Sequence, residues 1–480
     1  MSTSQTSIQA PELLAPAGTL KNMKYAFAYG ADAVYAGQPR YSLRVRENDF
    51  NLEKLEQGIQ LAHELGKKFY VVSNIAPHNS KIETYLKDIE PVIAMKPDAI
   101  IMSDPGLIMM VQDKWPDQTI HLSVQANAVN YAAVRFWQRQ GIERVILSRE
   151  LSLDEVAEIK EKCPEMELEV FVHGALCMAY SGRCLLSGYI NKRDPNQGTC
   201  TNSCRWKYQA HEAKEDEAGN VIPVVQKPID QEPIDQEPID QVPVEEWTPE
   251  SASATPETPQ QEPTLGEGET TDQVFLLQEP GRPDHLMPAY EDEHGTYIMN
   301  SKDLRAVQHV QRLTEMGVHS LKIEGRTKSY YYVARTTQVY RQAIDDAAAG
   351  KAFNMDLMDD LEKLAQRGYT EGFYRRHVHD EYQNYEQGNS VSQKQIFVAE
   401  VIEVNAEEGL MTLEVKNRFS VGDSIELMTP DGNVTFNLPS MVNRWGKDVD
   451  VAPGSGHIMT IPIPEGAPAD LEYALLMRNL

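Results

Sequence analysis

From Glu12 onward the chain alternates short, nearly continuous apolar runs with longer stretches in which apolar residues recur every three or four positions. The runs ELLAP, DAVYAG, KFYVVSN, DAIIMSD, IHLSVQA, RVILSRE, LEVFVHG and HSLKIEG read as buried strands, and the stretches between them as amphipathic helices. Several helix ends are explicit. Asn51 opens NLEKLEQGIQLAHEL and Gly66 closes it, Ser152 with Glu155 makes a capping box before VAEIKEK, and SYYYVARTTQVYRQAID supplies the last helix. Eight such units with no G-x-G-x-x-G after the first strand predict an α/β fold of the closed (β/α)8, TIM-like type and argue against an open dinucleotide-binding sheet.

After Gln395 the period changes to two. IFVAEVIEV, LMTLEV, DSIELM, VTFNL and HIMTIPI, separated by the turns AEEG, SVGD and TPDG, predict a separate small antiparallel β-barrel domain. Its VGDSIEL turn resembles the β-barrels of translation factors, which pack against RNA-handling domains. The connection after the seventh strand, residues 174–300, reads as one very long loop. Within it KPIDQEPIDQEPIDQVPVEEW begins a tract of Pro, Glu, Gln and Asp that has too little apolar surface to offset chain entropy and is expected to be disordered. The PIDQ repeats are a candidate protein-partner segment, set against the plain reading of a solvated insertion that costs little stability. The expected layout is therefore a disordered 1–11, a barrel from 12–209 and 281–390, an acidic insertion at 210–280 and the β-barrel domain at 391–480.

Charge changes the picture once it is localised. The 480 residues carry a formal net charge of -27, but residues 211–280 alone hold 18 acidic residues against two lysines. The folded remainder is only mildly acidic, so a nucleic-acid partner is not excluded. The N-terminal MSTSQTSIQAPELLAPAG lacks a signal pattern and no stretch approaches the ~18 uninterrupted apolar residues of a membrane span, so the expected location is cytoplasmic. In a reducing compartment, clustered cysteines point to metal, redox or nucleophilic chemistry.

Four of the five cysteines cluster. Cys177, Cys184, Cys200 and Cys204 form C-x6-C-x15-C-x3-C in the loop after strand seven, on the barrel face where active sites lie. Four thiolates suit a cubane iron–sulfur cluster or a structural zinc site, and the irregular spacing leans toward iron and sulfur. Against these stands a chance grouping without metal, and a peptidase-like pair in which His173 activates Cys177. Cys163, in EKCPEM, reads as an ordinary half-buried thiol.

The run EVFVHGALCMAYSGRCLLS, through Glu169, Phe171, Gly174, Ala175, Cys177, Gly182, Cys184 and Ser187, resembles the signature of peptidase family U32. The opening ELLAPAGTLKNMKYAFAYGADAVYAGQPRYSLRVREND is similar to a tRNA-hydroxylating branch of that family. The resemblance covers the barrel and the β-domain but not the acidic insertion. It implies a tRNA-modifying enzyme that takes part in prephenate-dependent formation of 5-hydroxyuridine at the wobble uridine, with a [4Fe–4S] cluster on Cys177, Cys184, Cys200 and Cys204. Alternatives are a collagenase-like peptidase and an RNA-associated binding module with a structural metal cluster.

Oxidising uracil needs a redox centre, and a cofactor would carry that chemistry while the protein positions the reactants. Arg40, Arg44 and Arg46, in the loop after strand two, are candidate contacts for phosphate or for the carboxylates of prephenate, against a solvated basic loop. Other strand ends aim polar groups inward: Asn74, Asp104, Gln125, Asn127, Arg149, Glu150, Lys322, Glu324 and Arg326. A packed core has little use for so many, so Glu169, His173, Glu324 and Arg326 are the candidate catalytic residues, each set against a structural ion pair or a satisfied core group. His377 and His379 in RRHVHD read as solvated surface, and Trp206 with Tyr208 as a shield for the cluster.

Overall fold

Eight parallel strands close on themselves. The structure, a computed structural model, describes residues 9–43, 49–176, 180, 183, 184, 196, 303–364, 369–375 and 394–480, together with the backbone of five strands between 209 and 296. It divides into two compact units, one made of Met1–Arg205 with Asn300–Leu480 and the other of Trp206–Met299.

In the first unit β1 (Glu12–Pro16), β2 (Ala33–Gly37), β3 (Lys68–Ser73), β4 (Ala99–Met102), β5 (Ile120–Leu122), β6 (Arg144–Ile146) and β7 (Glu167–Ala175) alternate with α1 (Leu20–Ala28), α2 (Leu52–Glu64), α3 (Asn79–Ala94), α4 (Pro105–Lys114), α5 (Tyr131–Arg139) and α6 (Leu153–Lys162). Five of these six helices, all but α3, start at a residue whose side chain caps the first turn. Asn51 caps α2 by accepting from the Lys54 N–H at 2.8 Å, and Ser152 with Glu155 completes the expected capping box at α6.

The second unit contains β8 (Gln209–Glu215), β9 (Val221–Pro223), β10 (Val274–Gln278), β11 (Leu286–Asp292) and β12 (Gly295–Thr296), an antiparallel sheet ordered β12-β11-β10-β8-β9. Residues 174–300 are thus not one irregular loop. Segments such as VFLLQ and LMPAYED carry strand propensity that the surrounding acidic composition outweighs in a sequence reading. The PIDQ tract lies outside the described residues.

The first unit resumes with β13 (Asp303–Arg305), α7 (Val310–Glu315), β14 (Ser320–Ile323), α8 (Tyr330–Ala348), α9 (Asp356–Glu362) and β15 (Tyr369–Thr370). The ring order is β14-β1-β2-β3-β4-β5-β6-β7, and β7 pairs with β14 in parallel to close it. All eight predicted barrel strands are present. β13 extends the ring by running antiparallel along the end of β7, with Leu304 opposite Gly174.

The C-terminal β-domain contains β16 (Gln395–Asn405), β17 (Leu410–Val415), β18 (Phe419–Ser420), β19 (Ser424–Thr429), β20 (Gly432–Asn437), β21 (Val442–Asn443), β22 (Val451–Ala452), β23 (Ile458–Pro462) and β24 (Leu475–Asn479). Its seven-stranded antiparallel sheet is ordered β20-β19-β24-β16-β17-β23-β21, with β18 and β22 paired beside it. The five strands read from alternation are all there. β24 was illegible because it is apolar on both faces: Leu476 packs in the domain's own core, while Leu475 and Met477 join the core of the barrel. No helix among the described residues is long and apolar enough to cross a membrane.

Candidate active site

Charged side chains fill the barrel from base to mouth. At the base, the Glu12 carboxylate accepts from Arg144 Nη1 at 2.5 Å, the Tyr70 hydroxyl at 2.7 Å, Ser320 Oγ at 3.2 Å and Lys68 Nζ at 3.3 Å. Burial alone would raise this carboxyl, but the Arg144 guanidinium, with Tyr70 and Lys68, holds it below the ordinary carboxylate value. Arg144 continues to Glu167 at 2.8 Å and to Glu169 at 3.3 Å, and the other Glu169 oxygen accepts from Lys322 Nζ at 2.8 Å. Glu169 and Lys322 are both enclosed. Burial pulls the Lys322 pKa down against the upward pull of Glu169, and the ammonium lies 4.3 Å from the Tyr35 ring centroid. His121, packed on Tyr70, is driven well below its ordinary pKa by burial and by Arg144, Lys322 and Lys68. Glu169 therefore balances two cations in the middle of the barrel, a structural duty.

Above this layer lies the mouth. Arg149, beyond the end of β6, sits 3.8 Å over the Phe171 ring and donates to Glu324 at 2.9 Å and to the Ala175 carbonyl at 2.8 Å. Arg326 is buried and donates to the Leu43 carbonyl at 2.5 Å. Asn74 accepts from the Leu43 N–H at 3.2 Å and donates to Ser123 Oγ at 3.1 Å. Gly37 is what admits this packing, since a Cβ there would lie 2.3 Å from Ser42 Oγ and 2.6 Å from Arg326 Nη1. Asp104, by contrast, caps α4 by accepting from the Leu107 N–H at 2.9 Å.

The cysteine segment begins two residues beyond Ala175. Cys184 is half-buried; Cys177, Cys200 and Cys204 lie outside the described residues. The Cys184 carbonyl accepts from Asn196 Nδ2 at 3.1 Å, and the Asn196 carbonyl accepts from the Ala76 N–H, just past β3, at 3.0 Å. Cys184 and Asn196 are thereby tied to the C-terminal face of the barrel, beside Ala76. Among the described residues no three His, Cys, Asp or Glu side chains gather as metal ligands. Cys163 is a buried thiol 3.6 Å from the Tyr131 carbonyl, as an ordinary core cysteine should be. Arg40 is exposed and held by Asp88 at 2.7 Å, which also accepts from the Tyr41 hydroxyl. Arg44, Arg46, Trp206, Tyr208, His377 and His379 lie outside the described residues.

The model of peptidase family U32 matches residues 18–384, and that of the U32 C-terminal domain matches residues 393–478. The chain belongs to peptidase family U32. Among curated relatives, tRNA hydroxylation protein P of Haemophilus influenzae is 62% identical over 470 residues, covering 98% of this chain and 96% of its own. The protein of the same name from Escherichia coli is 62% identical over 469 residues, covering 98% and 97%. A collagenase of Porphyromonas gingivalis is 24% identical over 485 residues, covering 98% of each.

Four positions of the U32 signature have a structural explanation. Glu169 balances Lys322 and Arg144, Phe171 carries Arg149, and Ala175 accepts from Arg149. Gly174 has φ +103°, and a Cβ there would lie 2.5 Å from the Glu324 carbonyl oxygen and 3.0 Å from the Tyr332 hydroxyl. His173 does not join Glu324 and Arg326 at the mouth. Its ring is packed among Tyr332 and Tyr340 of α8 and Tyr369 of β15, at 5.8, 5.5 and 5.4 Å between centroids.

Burial, with the nearby charges of Lys328 and Arg305, lowers the His173 pKa to about 3. In this U32 chain the unfolded state takes up a proton below about pH 6.5 that the folded state refuses until about pH 3, so stability falls as pH drops through that window, by up to about 1.4 kcal/mol per unit. Denaturant unfolding of wild type and His173→Gln at pH 7 and pH 5 is expected to show the wild type losing roughly 2 kcal/mol more than the variant. An identical loss in both would refute this placement.

Proposed function

We propose that this chain takes part in hydroxylating tRNA, at C5 of the wobble uridine 34, with prephenate as co-substrate and a [4Fe–4S] cluster held by Cys177, Cys184, Cys200 and Cys204. The observation that carries the tRNA reading is the 62% identity to two proteins named for tRNA hydroxylation, over nearly the whole of each chain. For the cluster, the support is chemical: four soft donors in one segment, whose described member Cys184 is tethered beside the mouth through Asn196 and Ala76. When bound, such a cluster supplies redox capacity for an oxidation. The residues around it position. Arg149 bridges Glu324 and the Ala175 carbonyl, two residues before Cys177. Arg40, Arg44 and Arg46 are the proposed contacts for phosphate or prephenate carboxylate, and Arg40 would exchange Asp88 for the ligand.

The peptidase reading gains little from this geometry. It needs His173 to accept a proton, and burial among tyrosines opposes a charged imidazole there.

The test is mass spectrometry of tRNA nucleosides from a strain lacking this gene and any parallel hydroxylase. The 5-hydroxyuridine-derived nucleosides are expected to vanish, to return with the wild-type gene and to stay absent with Cys184→Ser. Unchanged nucleosides in the deletion strain would sink the reading. Anaerobically purified protein is expected to hold about four irons per chain and to lose them with any of the four cysteines; zinc in their place would reject the cluster while leaving the tRNA reading open to the first assay.

A further inference from the structure

We propose that the turn between β21 and β22 of the C-terminal β-domain is an RNA-docking element, on which Trp445 stacks an unpaired nucleobase of the substrate tRNA while Arg444 and Lys447 meet its phosphates. The inference rests on the tRNA reading above and deepens it. Trp445 is 74% exposed, the most exposed of the large apolar side chains among the described residues. Leaving an indole in water forgoes the burial that usually accounts for a tryptophan, so its position calls for a partner.

The turn is built to hold that indole out. Asn443 Oδ1 accepts from the Trp445 N–H at 3.0 Å and from the Lys447 N–H at 3.2 Å. The Asn443 N–H donates to the Lys447 carbonyl at 3.0 Å, and β21 is anchored on β23 through Val442 opposite Thr460. A turn whose backbone is fixed this way loses little backbone freedom on binding. The Arg444 guanidinium lies 4.3 Å from the Trp445 ring centroid, placing a cation beside a π-face.

The surroundings decide the kind of partner. Arg444, Gly446, Lys447 and Asp448, which flank Trp445 in the turn, are all exposed and polar or small, whereas the core of a protein–protein interface is depleted of charge. An aromatic face with adjacent cations is instead the pattern that binds single-stranded nucleic acid. In a chain of net charge -27, such a polyanion must be met at local basic points.

Binding of the full-length chain to unmodified tRNA transcripts, followed by fluorescence anisotropy over a salt series, tests this. Trp445→Ala is expected to weaken binding roughly 5- to 150-fold, with Trp445→Phe in between and the melting temperature unchanged. Arg444→Ala/Lys447→Ala is expected to lower the salt slope by about 1.4. If wild type binds tRNA and Trp445→Ala binds it equally well, the docking element is wrong although the functional reading stands. Should wild type itself not bind tRNA, that reading fails and the inference with it. Equal tRNA binding with loss of a protein complex in Trp445→Ala would assign the turn to a protein partner and overturn the RNA assignment.

Discussion

Replacing Glu169 with alanine is expected to cost the folded chain roughly 3–5 kcal/mol, because it strands charge in a place water cannot reach. Lys322 has Glu169 as its ion-pair partner at 2.8 Å, and Arg144 loses one of three carboxylates. With the carboxylate gone, burial acts on Lys322 unopposed by Glu169, and the ammonium sheds its proton more readily. Lys322→Met is expected to be similarly costly, since it leaves Glu169 with Arg144 alone. The double variant Glu169→Ala/Lys322→Met is expected to cost less than the sum of the singles, a coupling of about 0.5–3 kcal/mol that identifies the pair as a unit. Urea unfolding of the four proteins measures this cycle. Wild-type stability in Glu169→Ala, combined with lost tRNA modification, would make Glu169 a catalytic residue and not a structural one.

How far was this legible in the sequence? The barrel strands were, because strands covered on both faces read as continuous apolar runs, and the helices were, because Asn51, Ser152 and Glu155 mark their ends. Polar groups inside the barrel were also legible as an excess, but their partners were not. Glu12 and Arg144 each open a strand, where a charge ordinarily meets water, and nothing local in ELLAP or RVILSRE says that the two meet across the ring. Tyr70 and His121 carry no motif either, and burial alone brings them to the same network.

His173 was read as a candidate catalytic residue alongside Glu169, both in β7, and as the group that would activate Cys177. The register against β14 shifts there, with Lys322 opposite Phe171 but Ile323 opposite His173. That one-residue bulge breaks the alternation and delivers the imidazole to the tyrosines of α8, something no periodicity reveals. Glu324 and Arg326 lie at the end of a barrel strand, and their partners Arg149 and Leu43 come from distant loops.

Glu426→Ala should be as damaging as Glu169→Ala, for the same physical reason at a different place. Glu426 lies in β19 of the C-terminal domain and receives Arg335 of α8 at 2.6 Å, Gln395 at 2.6 Å and Lys363 at 3.1 Å. Arg335 has no exposed surface. Removing the carboxylate leaves a guanidinium buried between the barrel helix and the β-domain, at a cost of about 3–5 kcal/mol, whereas Arg335→Met/Glu426→Met removes both charges and is expected to recover much of it. The acid limb provides an independent check. Burial would raise the Glu426 carboxyl, but Arg335, Lys363 and Gln395 hold it below the ordinary value, so its contribution is complete above about pH 4.5 and is lost as pH falls through the lowered folded value. Glu426→Gln cannot titrate and is expected to lose that part of the acid dependence while keeping a hydrogen-bonding side chain. Because the pair joins two packed cores, its loss is also expected to split one cooperative thermal transition into two, the β-domain separating from the barrel. A single transition at the wild-type temperature in Glu426→Ala would show that the apolar contacts of Met428, Leu475 and Met477 hold the domains together without it.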